Sequence, residues 1–225
     1  MTVERYQQMN DVNERKNAKA QAIVRAALDL FSRKGYPLTS IEQISEAAGI
    51  GKSTVYEYFA TKEALFEAAI TEAADAWIAG LEAVGQKTED TILRLRGIAD
   101  LFMAYHGADD HPEQGLFVEV LSQTLRQGGV ISNRPHMIRQ IYRRVVNIVA
   151  GYLLDGISTG QLRPEIARDA EKIAIHFLAT LDGIQIHSMI APNQVVPRDQ
   201  TDFFFDCLVP LLAVKNPGVD ARVAS

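Results

Sequence analysis

A chain of 225 residues, 47 % of them hydrophobic, has material for one core or two modest ones and needs no covalent staples. Its single cysteine, Cys207, excludes an internal disulfide and a cysteine-built zinc site. There is no unbroken 18-residue apolar run and no apolar leader, so neither a membrane span nor a signal peptide is expected and the cytoplasm is the expected compartment. The net charge of −5 argues against an anionic partner only until it is divided: Glu14 to Phe66 carry eight Lys or Arg against six acids, a net of +2, while residues 1–13 carry −1 and the remainder −6.

Taken in order, residues 1–17 lack an apolar period and are expected to form a flexible arm. Its Arg15 and Lys16, with Lys19 just beyond, read first as a solvated tail and otherwise as a basic arm of the kind that touches phosphates. From about Ala18 to Lys34, Ile23, Ala26, Ala27, Leu30 and Phe31 recur at the i, i+3, i+4, i+7, i+8 spacing of a helix, and Gly35 stops it. Thr39 or Ser40 then caps a short helix, with Glu42 or Gln43 three residues on to close a capping box; Ile41, Ile44 and Ala48 share its inner face. Gly49 sits where a helix ends in a left-handed residue, and Ile50 is the apolar plug just past it. A second short segment, Lys52 to Phe59, turns Val55 and Phe59 inward and leaves Lys52, Ser53, Thr54, Tyr56 and Tyr58 largely outside.

Two turns of helix, a tight glycine turn and a second helix with a small, basic and phenolic outer face make the layout of a helix-turn-helix. Lys52, Ser53 and Thr54 are the candidates for base-edge and adjacent contacts; Thr39, Ser40, Tyr56, Tyr58 and Lys62 are the candidates for phosphates, and Gly51 permits close approach. The segment resembles the DNA-binding signature of TetR-family transcriptional regulators at Gly35-Tyr36, Thr39-Ser40-Ile41, Ile44, Ala48-Gly49-Ile50, Thr54-Val55-Tyr56, Tyr58-Phe59 and Lys62-Glu63-Ala64-Leu65. It departs at Ser45, where alanine is usual. Two rival readings stand beside it. Gly51-Lys52-Ser53-Thr54 looks like the end of a phosphate-binding loop, but Glu46 stands where that motif needs glycine and no hydrophobic strand precedes it. A plain helical bundle would account for the apolar positions but not for Lys52, Tyr56, Tyr58 and Lys62 on the surface.

Thr61 caps the next helix, Lys62 to about Val84. Leu65, Phe66, Ala69 and Ile70 can close the small N-terminal core, whereas Trp77, Ile78 and Leu81 lie two turns on and must pack elsewhere, so this helix is expected to connect two parts. Helical patterns continue over about Glu89–Tyr105, Pro112–Arg126, Pro135–Thr159, Glu165–Ile190 and Asp199–Val214, with no alternating strand pattern. The expected architecture is all-α. Residues 18–66 form the three-helix DNA-binding unit, the long connecting helix leads out of it, residues 67–215 form a ligand-binding and dimerisation bundle, and 216–225 are a tail.

In that bundle Phe102, Tyr105, Phe117, Leu121, Tyr142, Phe177 and Leu181, with His106 and His176 near them, are mostly core by composition but have the makings of a cavity for a small, largely apolar molecule. The resemblance implies that the middle helices enclose an effector and that the last two pair with their copies in a homodimer. Ile186, Met189, Ile190, Phe204, Leu208, Leu211 and Leu212 are the candidate interface, being more apolar surface than two helices need to cover one domain. Gly183 in mid-helix is expected where helices approach closely. The five histidines include no i, i+4 pair, and no G-x-S-x-G elbow or Glu-x-x-His pair appears, so neither a metal, a cofactor nor an enzyme is expected. The partners expected are double-stranded DNA, a small-molecule effector and a second copy; an all-helical binding protein or enzyme that does not act on DNA is the alternative.

Overall fold

A computed structural model describes residues 3–104 and 112–214, and among them every regular element is helical. The α-helices are α1 (Val3–Lys34), α2 (Ile41–Ala47), α3 (Lys52–Tyr58), α4 (Lys62–Gln86), α5 (Thr91–Ala104), α6 (Pro112–Leu125), α7 (Pro135–Ser158), α8 (Ala170–Ile190) and α9 (Pro197–Leu212). A 3-10 helix over Pro164–Asp169 precedes α8, where one continuous helix from Glu165 was expected. The chain divides into two compact units, Met1–Ala76 with Asp109–His136, and Trp77–Ala108 with Met137–Ser225.

Two of these findings differ from the reading of the sequence. Helix α1 begins at Val3, so residues 3–17 are helical rather than an arm. The reason is local: no glycine or proline occurs from Val3 to Lys34, and Glu, Gln, Arg and Met have good helix propensity. The second difference is α6, assigned from sequence to the C-terminal bundle but packed on α1 in the first unit. Gly115 makes this possible, because a Cβ there would stand 2.1 Å from the carbonyl oxygen of Ser32. After α6, Arg134 reaches Glu67 of α4 in an ion pair, and the buried Gln123 side chain accepts from Val130 N–H (3.2 Å) while donating to Glu119 (2.8 Å).

The first unit closes over Ile23, Ala27, Phe31, Ile44, Val55, Leu65 and Phe66, all fully buried. Phe31, Tyr36 and Phe66 stack with centroids 4.8 to 5.7 Å apart, which fixes the exit of α1 against the start of α4. In the second unit Ile78, Leu81, Leu95, Ile98, Phe102, Val149, Leu153, Phe177, Leu181 and Phe205 form the core, with Trp77 edge-on to Phe102 at 5.0 Å. Helix α4 thus supplies Leu65 and Phe66 to one core and Ile78 and Leu81 to the other. The stretch Pro164–Ile190 is long and apolar enough by composition to cross a membrane, yet its Phe177, Leu178 and Leu181 are core residues of this unit.

Candidate nucleic-acid interface

Three local devices hold α2 and α3. Ser40 and Gln43 form the capping box, Gln43 N–H donating to the Ser40 hydroxyl and Ser40 N–H to the Gln43 side chain (3.3 and 3.0 Å). At the other end Gly49 adopts φ 67°, Ile50 N–H donates to Ser45 O (3.0 Å) and Gly49 N–H to Glu46 O (3.1 Å), the paired bonds of a Schellman stop. Gly51 caps α3 with no side chain over its first turn, and Val55 pins the helix to the core. The face left outside carries Gly51, Lys52, Ser53 and Tyr56, all exposed, with Thr54 and Tyr58 half-buried beside them. Five of these six lie on α3 and Gly51 is its N-cap.

The other three expected DNA contacts are occupied within the protein. Thr39 is buried, and its hydroxyl donates to Gly35 O (2.8 Å) and is within 3.2 Å of Leu30 O, so it closes the loop after α1 rather than facing a phosphate. Ser40 has its hydroxyl engaged in the cap. Lys62 turns its ammonium back over the Tyr36 ring (4.2 Å) and donates to Tyr36 O and Thr39 O (2.7 and 2.8 Å). Burial holds the Lys62 ammonium below its usual range, against the pull of Glu63 and Glu119. Tyr36 in turn is pushed up by burial and by its hydrogen bond to Glu63. A lysine of this kind reads in sequence as surface charge because its long stem lets it lie along the protein.

Lys62→Met is therefore expected to loosen residues 35–40 and cost about 1 kcal/mol, somewhat under the usual range for a charged hydrogen bond because the site is only partly buried. Operator and random DNA should weaken alike, since the loop sets the pose of α2 and not its base contacts. Urea unfolding and anisotropy titrations on both duplexes check it; a loss confined to operator DNA would contradict the assignment.

Sequence reasoning missed Glu42. With Gln43 taking the box position, Glu42 is free to form an ion pair across the turn with Lys52. That partner is the first cause holding Glu42 low and Lys52 high.

The described residues expected around an effector are divided between the two units. Phe102, Phe177 and Leu181 are buried in the second unit, but Tyr142 is 47 % exposed and His176 is exposed with Nδ1 against Lys172 O at 2.8 Å. Phe117 and Leu121 travel with α6 in the first unit, and Tyr105 and His106 lie outside the described residues. A groove of about 360 Å³ in the second unit is lined by other residues, among them Arg94, Asn147, Tyr152 and Asp155. No group of three or more metal-ligating side chains occurs among the described residues.

Of the expected interface, Ile186, Ile190 and Leu211 are exposed and Met189, Phe204 and Leu208 half-buried, whereas Leu212 is a core residue. Its place on the outer face is taken by Phe203, 67 % exposed, which with Cys207 and Leu211 recurs every four residues along α9. A Cβ on Gly183 would meet nothing within 4 Å, so no close approach within the chain explains that glycine.

Residues 23–69 match the family model described as bacterial regulatory proteins, tetR family. The HTH-type transcriptional regulator RutR of Escherichia coli (strain K12) is 46 % identical over 67 residues, 30 % of this chain and 32 % of that protein, so the match spans about a third of the relative's length. The HTH-type transcriptional repressor KstR2 of Mycobacterium tuberculosis (strain ATCC 25618 / H37Rv) is 25 % identical over 165 residues, 72 % of this chain and 78 % of that one. Among solved structures, a putative transcriptional regulator from Saccharomonospora viridis in complex with choline superposes with a TM-score of 0.74 at 17 % identity, covering 88 % of this chain and all of that one. A putative TetR-family regulator from Mesorhizobium loti MAFF303099 gives 0.71 at 22 %, covering 89 % and 99 %. The two structures share the fold.

Proposed function

We propose that this chain is a regulator of the TetR type, on the match of its residues 23–69, and that it is a dimeric, effector-responsive repressor of transcription in the cytoplasm, binding a palindromic operator and not acting as an enzyme. The observation that carries the reading is the outer face of α3, where Lys52, Ser53 and Tyr56 stand exposed on a helix that Val55 and the Gly49 turn hold rigid. A DNA-binding segment of net charge +2 is a weak attractor alone, so affinity is assigned to two copies on one duplex. The exposed Ile186, Ile190, Phe203 and Leu211 supply the apolar face for that pairing.

Two recognition helices must sit about 34–36 Å apart to enter successive major grooves. Helix α4 contributes to both cores, so we assign it the transmission: an effector that prefers one pose of α4 by a few kcal/mol shifts that spacing. The effector proposed is a small, largely apolar molecule received among the aromatic residues of the second unit, near Phe102 and Phe177.

Selection of genomic fragments with the purified protein, joined to light scattering, tests the reading. A palindrome enriched by a dimer is the expected result. No enrichment at moderate salt would favour an all-helical binding protein or enzyme, and a monomer at micromolar concentration would remove the palindrome.

A further inference from the structure

We infer that Glu42 is a specificity-determining residue: it holds the Lys52 ammonium in the free protein and so withdraws that charge from DNA of the wrong sequence. The inference rests on the DNA-binding reading. Lys52 is the first residue of α3 and Glu42 lies in the first turn of α2; both are about half exposed, and the Gly49 turn brings them into an ion pair. The capping box at this helix start is closed by Ser40 and Gln43; Glu42 also meets its own backbone N–H and Ser40 in the first turn, but Lys52 is the first of its partners. An exposed pair adds little to folding, which leaves its effect on Lys52 as the larger consequence.

A random duplex offers Lys52 a phosphate in exchange for a carboxylate already in contact, and the exchange gains little. An operator that presents two acceptors on a guanine edge offers more than it takes away. With a segment of net charge only +2, one cation withheld or released is a large fraction of the attraction to any duplex. Glu42 therefore lowers binding to random DNA more than binding to operator.

The test is a double-mutant cycle of Glu42→Gln and Lys52→Ala in the full chain, titrated against operator recovered by the selection above and a random duplex of equal length, from low to moderate salt. Glu42→Gln is expected to raise affinity for the random duplex about three- to tenfold and to steepen its dependence on log salt by about 0.9 per half-site. Operator affinity should rise less, so the ratio falls, and in the Lys52→Ala background the effect should vanish. Equal gain in both backgrounds would reduce Glu42 to simple repulsion of phosphates and overturn the inference, as would no gain in the wild-type background. Unchanged melting temperatures exclude misfolding as the cause. A wild-type chain that binds no duplex overturns the DNA-binding reading itself; binding without coupling overturns only this inference.

Discussion

Gly115→Ala is expected to destabilise the first unit by about 2–4 kcal/mol, against the sign of helix propensity. In an open helix position the same change stabilises by about 1 kcal/mol. At Gly115 the new methyl would stand 2.1 Å from the Ser32 carbonyl oxygen and 2.9 Å from its carbon, both backbone atoms that no rotamer change can move. Helix α6 must then slide away from α1, which costs the overpacking penalty and opens the contact between the two helices. Gly151→Ala in α7 is the control, because nothing lies within 4 Å of its Cβ position, and it should gain the propensity term undiminished. Urea unfolding of both variants decides it: if Gly115→Ala proves as stable as Gly151→Ala, the close approach of α6 to α1 is wrong. Weaker DNA binding by Gly115→Ala should accompany the loss, since α1 packs on α2, which leads into the helix proposed to contact DNA.

The same glycine explains where the sequence was legible and where it was not. Periodicity and caps follow from bonds a few residues apart, so the box at Ser40 and Gln43, the stop at Gly49 and the inward Val55 could be read directly. Which helix lies against which is a non-local matter, and Gly115 reads only as a weak spot in a helix until Ser32 is seen beside it. Polar residues failed in a patterned way. Thr39 and Lys62 satisfy themselves on carbonyls of α1 and of the loop after it, 2.7 to 3.2 Å away, and such bonds leave no trace in residue type. Tyr142 and His176 were grouped with aromatic neighbours by composition, but each stands exposed on its helix. The exchange of Leu212 for Phe203 on the outer face of α9 is a matter of phase: Leu212 falls in line with the buried Thr201 and Phe205, and Phe203 with Cys207 and Leu211. Glu42 and Gln43 were equal candidates for the box, and the geometry chose Gln43.

Asp182→Asn is expected to stabilise the protein by about 2 kcal/mol at pH 7.5 and by almost nothing at about pH 3. Asp182 lies on α8 between the buried Leu181 and the exposed Ile186, and burial alone pushes its carboxyl up from 3.8 to about 6. At about pH 3 and below the group is neutral folded and unfolded, and its burial costs no charge. From there to about 6 the unfolded chain ionises first, so stability falls as pH rises; above about 6 the folded state carries a desolvated carboxylate and the full cost is reached. A rise of some two pH units sets a ceiling of about 3 kcal/mol, reduced here because the side chain keeps some access to water. Asparagine keeps the shape and removes the charge, so the difference between variant and wild type should open along that same curve. Urea unfolding at about pH 3, 4, 5, 6 and 7.5 measures it. A difference that stays flat with pH would mean that Asp182 is hydrated in the folded chain.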